Sequence, residues 1–375
     1  MAGLHRFLTT AHQMNVIQRW NNKPNLLAET VAAHSYLVAV IGWGLAAAAA
    51  GRGRPVDTAD VIKRAVAHDL HEVITGDILA PTKRSARALK RAVEQLEYQA
   101  GQELAAMLPG DLRPRLERYI LDPMDDSPEG RLVKTADLFA ASLKAWLEVQ
   151  MGNGFHRGNL DRIRGFLRAS DLQEVHELMW ELEVYADALE QRPSLAKFLR
   201  SLFVLYYVKR WNNLPTLAPQ SVAAHSHLVA LIAWVLAEAE NARAQTSLPV
   251  DDIVRRALLL EAPKAITGDI LYVTKTASPD MLRGVEQARS RASRELLDML
   301  PPELQPAFAP YLRPLPGQAE RLVQDASRLA GCLEALMEVR LGNTYFQPIL
   351  DALRERVDSP FPTTREIIEG LGLVG

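Results

Sequence analysis

Apolar residues recur along the chain at helical spacing, and the strict alternation that is typical of β-strands is rare. The longest apolar run, Tyr36–Ala50, is shorter than the roughly 20 residues that cross a bilayer, so it predicts a buried core helix. Polar turn signals, with Asp57 and Ser127 as N-caps, divide the N-terminal half into helices. The predicted helices lie at about 4–18, 34–50, 57–73, 85–107, 111–121, 129–151, 158–168 and 171–190. The fold class predicted is therefore all-α.

The pattern occurs twice. The motif RWNN at 19–22 returns at 210–213, VAAHS at 31–35 returns at 222–226, and ITGDIL at 74–79 returns at 266–271. The spacing between the copies varies by single residues, as insertions in loops produce. We therefore predict two copies of one domain, at 1–192 and 193–375, which join near the sequence QRPS at 191–194.

Composition narrows the class of protein. The chain has 375 residues, of which 48% are hydrophobic and 23% charged, with a formal net charge of −2. This balance indicates neither a nucleic-acid nor a membrane partner. The single cysteine, Cys332, excludes an intrachain disulfide, and the N-terminus does not have the pattern of a signal peptide. We expect a cytoplasmic protein.

The segment Ala67–Asp77 concentrates the candidate chemistry. It places His68 beside Asp69 directly after an apolar run, and Glu72 follows at helical spacing, so one helix face would carry all three. Buried charges need partners, and a metal ion is a common partner for an imidazole next to a carboxylate. Gly76 predicts the end of this helix, and Asp77 follows directly after that end.

Two further side chains lie on predicted apolar helices: His34 at the start of one and Asp137 within another. With His68 and Asp69 they make two imidazoles and two carboxylates, a set that suits one divalent transition metal such as Co, Mn, Zn or Fe. Simpler interpretations exist: His34 alone fits a core histidine, and Glu72 fits a solvated helix charge.

The order of these residues resembles the HD-domain metal-dependent phosphohydrolases. The fuller pattern comprises Arg19-Trp20, His34-Ser35, HDxxExxTGD at 68–77 and KTAD at 134–137. It is similar to the bacterial HD-domain 5′-deoxyribonucleotidases, which hydrolyse deoxyribonucleoside monophosphates. The chain departs from that pattern at Ala33, where the family often has Glu, and at Leu27, where it often has Arg.

The resemblance implies a role for each matching residue. His34, His68, Asp69 and Asp137 would hold the metal, and Glu72 would be the acid/base residue. Asp77 would contact the sugar or orient the phosphate, while Arg19 and Trp20 would shape the pocket. Without the resemblance, Arg19-Trp20 also fits a surface cation over an aromatic ring. Two interpretations fit Lys83: a contact with the phosphate, or a lysine in solvent.

The second copy lacks most of this set. Leu260, Glu261, Lys264 and Ser327 stand where the first copy has His68, Asp69, Glu72 and Asp137. We predict that 193–375 is pseudo-catalytic. Proteins of this family are often homodimers, so the resemblance implies two HD bundles packed as an intrachain pseudo-dimer. A regulatory nucleotide site near Arg210, Trp211 and Lys264 is an alternative role, and His227 is expected at the surface.

The function predicted is metal-dependent hydrolysis of the 5′-phosphate of deoxyribonucleoside monophosphates by attack of water on phosphorus. One alternative is hydrolysis of deoxynucleoside triphosphates with release of triphosphate or pyrophosphate. The other is a non-catalytic nucleotide-binding sensor or scaffold.

Overall fold

The computed structural model describes residues 2–83, 85–183, 192–244, 247–356 and 358–371. These residues form helices joined by turns, with two isolated bridges, Gln18–Thr30 and Lys209–Ser221, and no strand within the described ranges. The predicted all-α class is confirmed. The last part of the helix predicted at 171–190, and residue 191 of the predicted junction, lie outside the described residues.

The N-terminal half contains ten α-helices within those ranges, besides two short 3₁₀ helices. The α-helices are α1 (Ala2–Ala11), α2 (Val31–Gly51), α3 (Thr58–Ala67), α4 (Glu72–Thr75), α5 (Ala80–Lys83), α6 (Arg87–Ala106), α7 (Arg113–Leu121), α8 (Pro128–Gln150), α9 (Arg157–Arg168) and α10 (Gln173–Glu183).

The C-terminal half repeats the plan, with ten further helices in the described part. They are α11 (Leu195–Phe203), α12 (Val222–Ala244), α13 (Val250–Leu259), α14 (Lys264–Thr267), α15 (Tyr272–Lys275), α16 (Pro279–Asp298), α17 (Gln305–Phe308), α18 (Gln318–Arg340), α19 (Gln347–Arg356) and α20 (Pro362–Gly370).

Several helix ends follow the signals in the sequence. The Asp57 carboxylate accepts hydrogen bonds from the first N–H groups of α3, and the Ser127 hydroxyl does the same for α8. Gly76 ends α4 with a φ of +69°, a backbone conformation that glycine adopts without a Cβ clash.

The helix predicted at 57–73 is wrong in its length, because α3 ends at Ala67 and a turn separates it from α4. The break leaves the last backbone carbonyls of α3 without donors from a following helical turn. Ala65 accepts instead from His68 Nδ1 at 2.7 Å, and Val66 accepts from His227 Nε2 at 2.8 Å. The equivalent helix α13 breaks at the same place without a histidine, so the imidazoles satisfy these acceptors and do not create the break.

The long apolar helices α2 and α12 pack against each other at the centre of the molecule. By length and composition each could cross a membrane, but the most apolar windows of the two are 89% and 94% buried inside the fold. Burial of this extent is typical of core helices. The interpretation of residues 36–50 as a buried helix therefore agrees with the structure.

Aromatic contacts join the halves in a symmetric way. Trp43 of α2 stacks on Phe308 at a centroid distance of 4.3 Å and meets Tyr311 edge-on at 5.5 Å. Its counterpart in the repeat, Trp234 of α12, meets Tyr119 edge-on at 5.0 Å. Each half thus buries one tryptophan against the other, which is the packing of the predicted pseudo-dimer.

Replacing Trp234 with alanine should lower the free energy of unfolding by about 3–5 kcal/mol, because it empties a fully buried site at the contact between the halves. Chemical denaturation followed by circular dichroism should still show one transition, at lower denaturant. Trp180→Ala, at a position that is 57% exposed, is the control and should change stability by less than about 0.5 kcal/mol. Two separate transitions, of which only one responds to Trp234→Ala, would contradict a shared core.

Candidate metal centre and active site

Two imidazoles face each other across the centre of the N-terminal half. His34 lies in the first turn of α2 and His68 lies in the turn after α3, with ring centroids 5.6 Å apart and almost no exposure. Because a carbonyl only accepts, the contact with Ala65 places the ring hydrogen of neutral His68 on Nδ1. Nε2 of His68 then carries the lone pair that a metal ion requires.

Two carboxylates complete this group. Asp69 Oδ2 lies 3.1 Å from His68 Nε2 and 3.9 Å from His34 Nε2. Asp137 of α8 reaches His34 Nε2 at 2.9 Å from a side chain that is 30% exposed, on the open side of the group. The ligand atoms of His34, His68 and Asp69 lie within 4.8 Å of one another, and Asp137 joins them through His34.

The charges of this group depend on one another. Burial disfavours a charged Asp69 carboxylate, but His68 and Arg19 outweigh it and hold the Asp69 pKa well below its usual range. Burial also opposes protonation of His68, yet the adjacent carboxylate raises the His68 pKa. His68 Nε2 is buried and lacks hydrogen-bond geometry toward any described atom. This donor set of two nitrogens and two oxygens fits a divalent transition metal.

Glu72 stands at the first residue of α4, 4% exposed. Its Oε2 is buried and has no hydrogen-bond partner among the described residues. Burial, and then the negative charge of Asp69, raise the Glu72 pKa well above its usual value. A raised pKa favours the protonated form of a carboxyl group, which suits a residue that holds and donates a proton in general acid/base work.

Arg19 connects the metal-binding group with Glu29, which the sequence analysis missed. Arg19 Nη1 lies 3.2 Å from Asp69 Oδ2, and Arg19 Nε lies 3.3 Å from Glu29 Oε2. The Trp20 indole donates to the same Glu29 oxygen at 2.7 Å, from a backbone with φ +59° that is strained for a bulky residue. Glu29 lies in a loop before α2, where no periodicity marks it.

Asp77 and Lys83 lie farther along the rim. The Asp77 backbone carbonyl accepts from Asn21 Nδ2 at 3.2 Å, and the Asp77 side chain is half-buried. Lys83 Nζ lies 2.5 Å from Glu97 Oε1, a second residue that the sequence analysis missed. His71 Nε2 points to the same Glu97 oxygen at 3.8 Å.

Comparison with known families decides the class of protein. The sequence profile described as 5′-deoxynucleotidase YfbR-like matches residues 6–184 and matches again at 197–365. The chain belongs to the YfbR-like 5′-deoxynucleotidase family. Membership confirms the resemblance read from the motifs, the tandem arrangement and the assignment to hydrolases.

Individual relatives of this YfbR-like chain each correspond to about half of it. The 5′-deoxynucleotidase of Vibrio cholerae is 28% identical over 185 residues, which is 49% of this chain and 94% of the relative. The 5′-deoxynucleotidase YfbR of Shigella boydii is 31% identical over 174 residues, 46% of this chain and 87% of the relative. A solved HD-domain phosphohydrolase from Listeria innocua is 20% identical with a TM-score of 0.45, and the match covers 50% of this chain and 90% of that one.

The C-terminal YfbR-like repeat contacts the N-terminal one beside the candidate metal-binding group. His227 is 1% exposed, so the expectation that it lies at the surface is wrong. It stands at the position equivalent to Tyr36, on the side of α12 that packs on the N-terminal half, and donates to Val66 two residues before His68. Burial lowers the His227 pKa to about 4, which keeps this imidazole neutral.

The equivalent place in the C-terminal repeat holds no such group. Lys264 Nζ lies 2.9 Å from Glu261 Oε2 and 2.8 Å from Asp269 Oδ1. His225 Nδ1 lies 2.8 Å from Glu334 Oε1. Within the part of the chain that the structure describes, His34, His68 and Asp69 form the one group of three or more histidines, cysteines or acids close enough to hold an ion.

The matched histidines of the two repeats provide a test of metal binding. Calorimetric titration of metal-stripped protein with Co²⁺ or Mn²⁺ should give about one bound ion per chain. His34→Asn should weaken binding by more than the ~10–100-fold that losing a supporting residue costs, because it removes a ligand. His225→Asn, at the equivalent position, should bind like the wild type. Equal metal affinity in both variants, or a loss confined to His225→Asn, would contradict the assignment.

Proposed function

We propose that the N-terminal half hydrolyses the 5′-phosphate of deoxyribonucleoside monophosphates to a deoxynucleoside and phosphate. The observation that carries this proposal is the group of buried His34, His68 and Asp69 with the partly exposed Asp137, beside which the buried Oε2 of Glu72 has no partner among the described residues. The names of the relatives from Vibrio and Shigella, both 5′-deoxynucleotidases, support the choice of substrate.

His34, His68, Asp69 and Asp137 would hold one divalent ion, and two nitrogens with two oxygens suit Co, Mn, Zn or Fe. When bound, such an ion neutralises phosphate charge and lowers the pKa of water. The ligands come from α2, the turn after α3 and α8, three segments fixed by the core. Their geometry is therefore set before a substrate arrives.

Arg19 is proposed to bind the phosphate. Its guanidinium already contacts Asp69, a proposed metal ligand, so a phosphate oxygen near the ion lies within reach of Arg19. A planar guanidinium matches two phosphate oxygens at once. The Trp20 indole is engaged by Glu29 and packs edge-on against His156 at 5.2 Å. We therefore propose that Trp20 fixes Arg19 and forms the pocket wall.

Glu72 is proposed to carry the proton. It would accept a proton from water as the new P–O bond forms, and return it to the 5′-oxygen as the old P–O bond breaks. The raised Glu72 pKa favours the protonated carboxyl that would donate to the 5′-oxygen. Asp77, at the end of α4, would contact the deoxyribose. Lys83, held by Glu97, would face the phosphate from the opposite rim.

The halves 1–192 and 193–375 are proposed as the catalytic and pseudo-catalytic domains. The C-terminal half supports the site physically through the contact of His227 with Val66. Tyr206 of the C-terminal half makes a second contact with the N-terminal half, near the Glu29 carboxylate. Burial and the charge of Glu29 raise the Tyr206 pKa. The reaction is proposed to take place in the cytoplasm, where the free Cys332 stays reduced.

Metal-loaded protein should release phosphate from deoxyribonucleoside monophosphates. Glu72→Gln should reduce kcat by about 10²–10⁴-fold while metal content stays unchanged, since proton transfer is lost but the ligands remain. Glu94→Gln removes an exposed carboxylate paired with Lys90, and serves as the matched control with unchanged kcat. Phosphate, pyrophosphate and triphosphate should be measured separately.

Unchanged turnover in Glu72→Gln would remove its acid/base role. Release of pyrophosphate or triphosphate from deoxynucleoside triphosphates, with monophosphates inert, would replace the proposed reaction by the triphosphohydrolase alternative. Metal-loaded wild type that binds nucleotides without turning any over would indicate a sensor.

A further inference from the structure

The pocket of the C-terminal half keeps one part of the site and changes another. Arg210, Trp211, Asp269 and Lys275 match Arg19, Trp20, Asp77 and Lys83 of the N-terminal half. Four acidic residues are lost: Glu29, Glu72, Glu97 and Asp137 correspond to Gln220, Lys264, Arg289 and Ser327. The residues proposed for the substrate are therefore kept, while most of the carboxylates around the metal position are replaced by neutral or basic residues and only Asp69 keeps an acidic counterpart, Glu261.

The two basic replacements point to the place where the metal would lie in the N-terminal half. Lys264 contacts Glu261, the counterpart of Asp69, at 2.9 Å. The Arg289 guanidinium donates to the backbone carbonyl of Leu260, the counterpart of His68. An ammonium and a guanidinium thus converge on the position of the metal ligands. Lys264 also contacts Asp269 at 2.8 Å, so Arg289, which donates to a neutral carbonyl, is the main source of positive charge for a phosphate here.

A cleft that is open to solvent lies at this place. Lys264, Lys275 and Arg289 line it together with Glu261. Beside Glu261 lies His225, whose Nε2 is fully buried and has no hydrogen-bond partner among the described atoms. Since Nδ1 of His225 donates to Glu334, neutral Nε2 is an acceptor that has no donor among the described atoms.

We propose that this pocket is a metal-independent binding site for a nucleoside monophosphate, with the phosphate on Lys264, Arg289 and Arg210 and the sugar toward Asp269 and Trp211. The ligand class rests on the function proposed for the N-terminal half, because the retained residues are the ones assigned to substrate there. His225 lies two residues before His227 on α12, so the ligand would sit close to a helix segment that contacts the catalytic half.

The test uses the full chain with the His68→Asn substitution in EDTA, so that metal-dependent binding at the N-terminal site is removed. Calorimetry with deoxyadenosine monophosphate should show about one site per chain, and inorganic phosphate should compete. Arg289→Glu and the milder Arg289→Gln should weaken binding by at least about tenfold, as should Lys264→Gln. Arg291→Glu, an exposed arginine on the same helix, should leave affinity unchanged.

No saturable binding in EDTA would overturn the proposal. Lys264 and Arg289 would then only stabilise the buried Glu261 and the Leu260 carbonyl. Binding abolished by Arg19→Glu but unaffected by Arg289→Glu would also overturn it, because the nucleotide would occupy the N-terminal site. Circular dichroism of each variant checks folding, and Arg289→Gln is decisive if Arg289→Glu is misfolded. Failure of metal-loaded wild type to hydrolyse nucleotides would reject the proposed function separately, since binding in EDTA needs no turnover.

Discussion

The site depends on an excess of buried negative charge in the N-terminal half. Asp69 lies against two imidazoles and a guanidinium, with Glu72 and Asp137 close by. Carboxylates removed from water are costly unless cations accompany them. Arg19 and the histidines supply part of that positive charge, and a divalent ion would supply the rest. The positions of α2, α8 and the turn after α3 all serve to bring these side chains together.

The C-terminal half meets the same constraint in another way. Its Arg210 and Trp211 still need a carboxylate, but the residue at the position of Glu29 is the neutral Gln220. Glu334 of α18 takes over and accepts from both side chains, at 2.8 and 3.1 Å. Its counterpart in the N-terminal half is Lys144, which is fully buried and paired with Glu148. The carboxylate that binds the arginine and the tryptophan thus comes from a loop in the N-terminal half and from a core helix in the C-terminal half. The arginine and the tryptophan themselves occupy equivalent positions in both halves.

Local signals made much of this predictable from the sequence. Asp57, Ser127 and Gly76 mark helix ends through contacts with their own neighbours, and the ordered motif from His34 to Asp137 indicates four side chains that the structure brings together. Glu29 was missed because it lies in a loop that no periodicity marks, and Glu97 and His227 were missed or misplaced because their partners lie on other elements. His227 bonds a carbonyl in the other half, which no periodicity within α12 reveals. The end of α3 at Ala67 was missed because an apolar pattern continues across the turn.

The most direct measurement is anomalous X-ray diffraction from crystals of the full chain grown with Mn²⁺ or Co²⁺. The account predicts one strong peak per chain, within about 2.0–2.3 Å of nitrogens of His34 and His68 and of oxygens of Asp69 and Asp137. It predicts no peak between Glu261 and Lys264, where the ammonium already balances the carboxylate. A peak in the C-terminal pocket, or an ion that leaves His68 or Asp137 unbound, would contradict it.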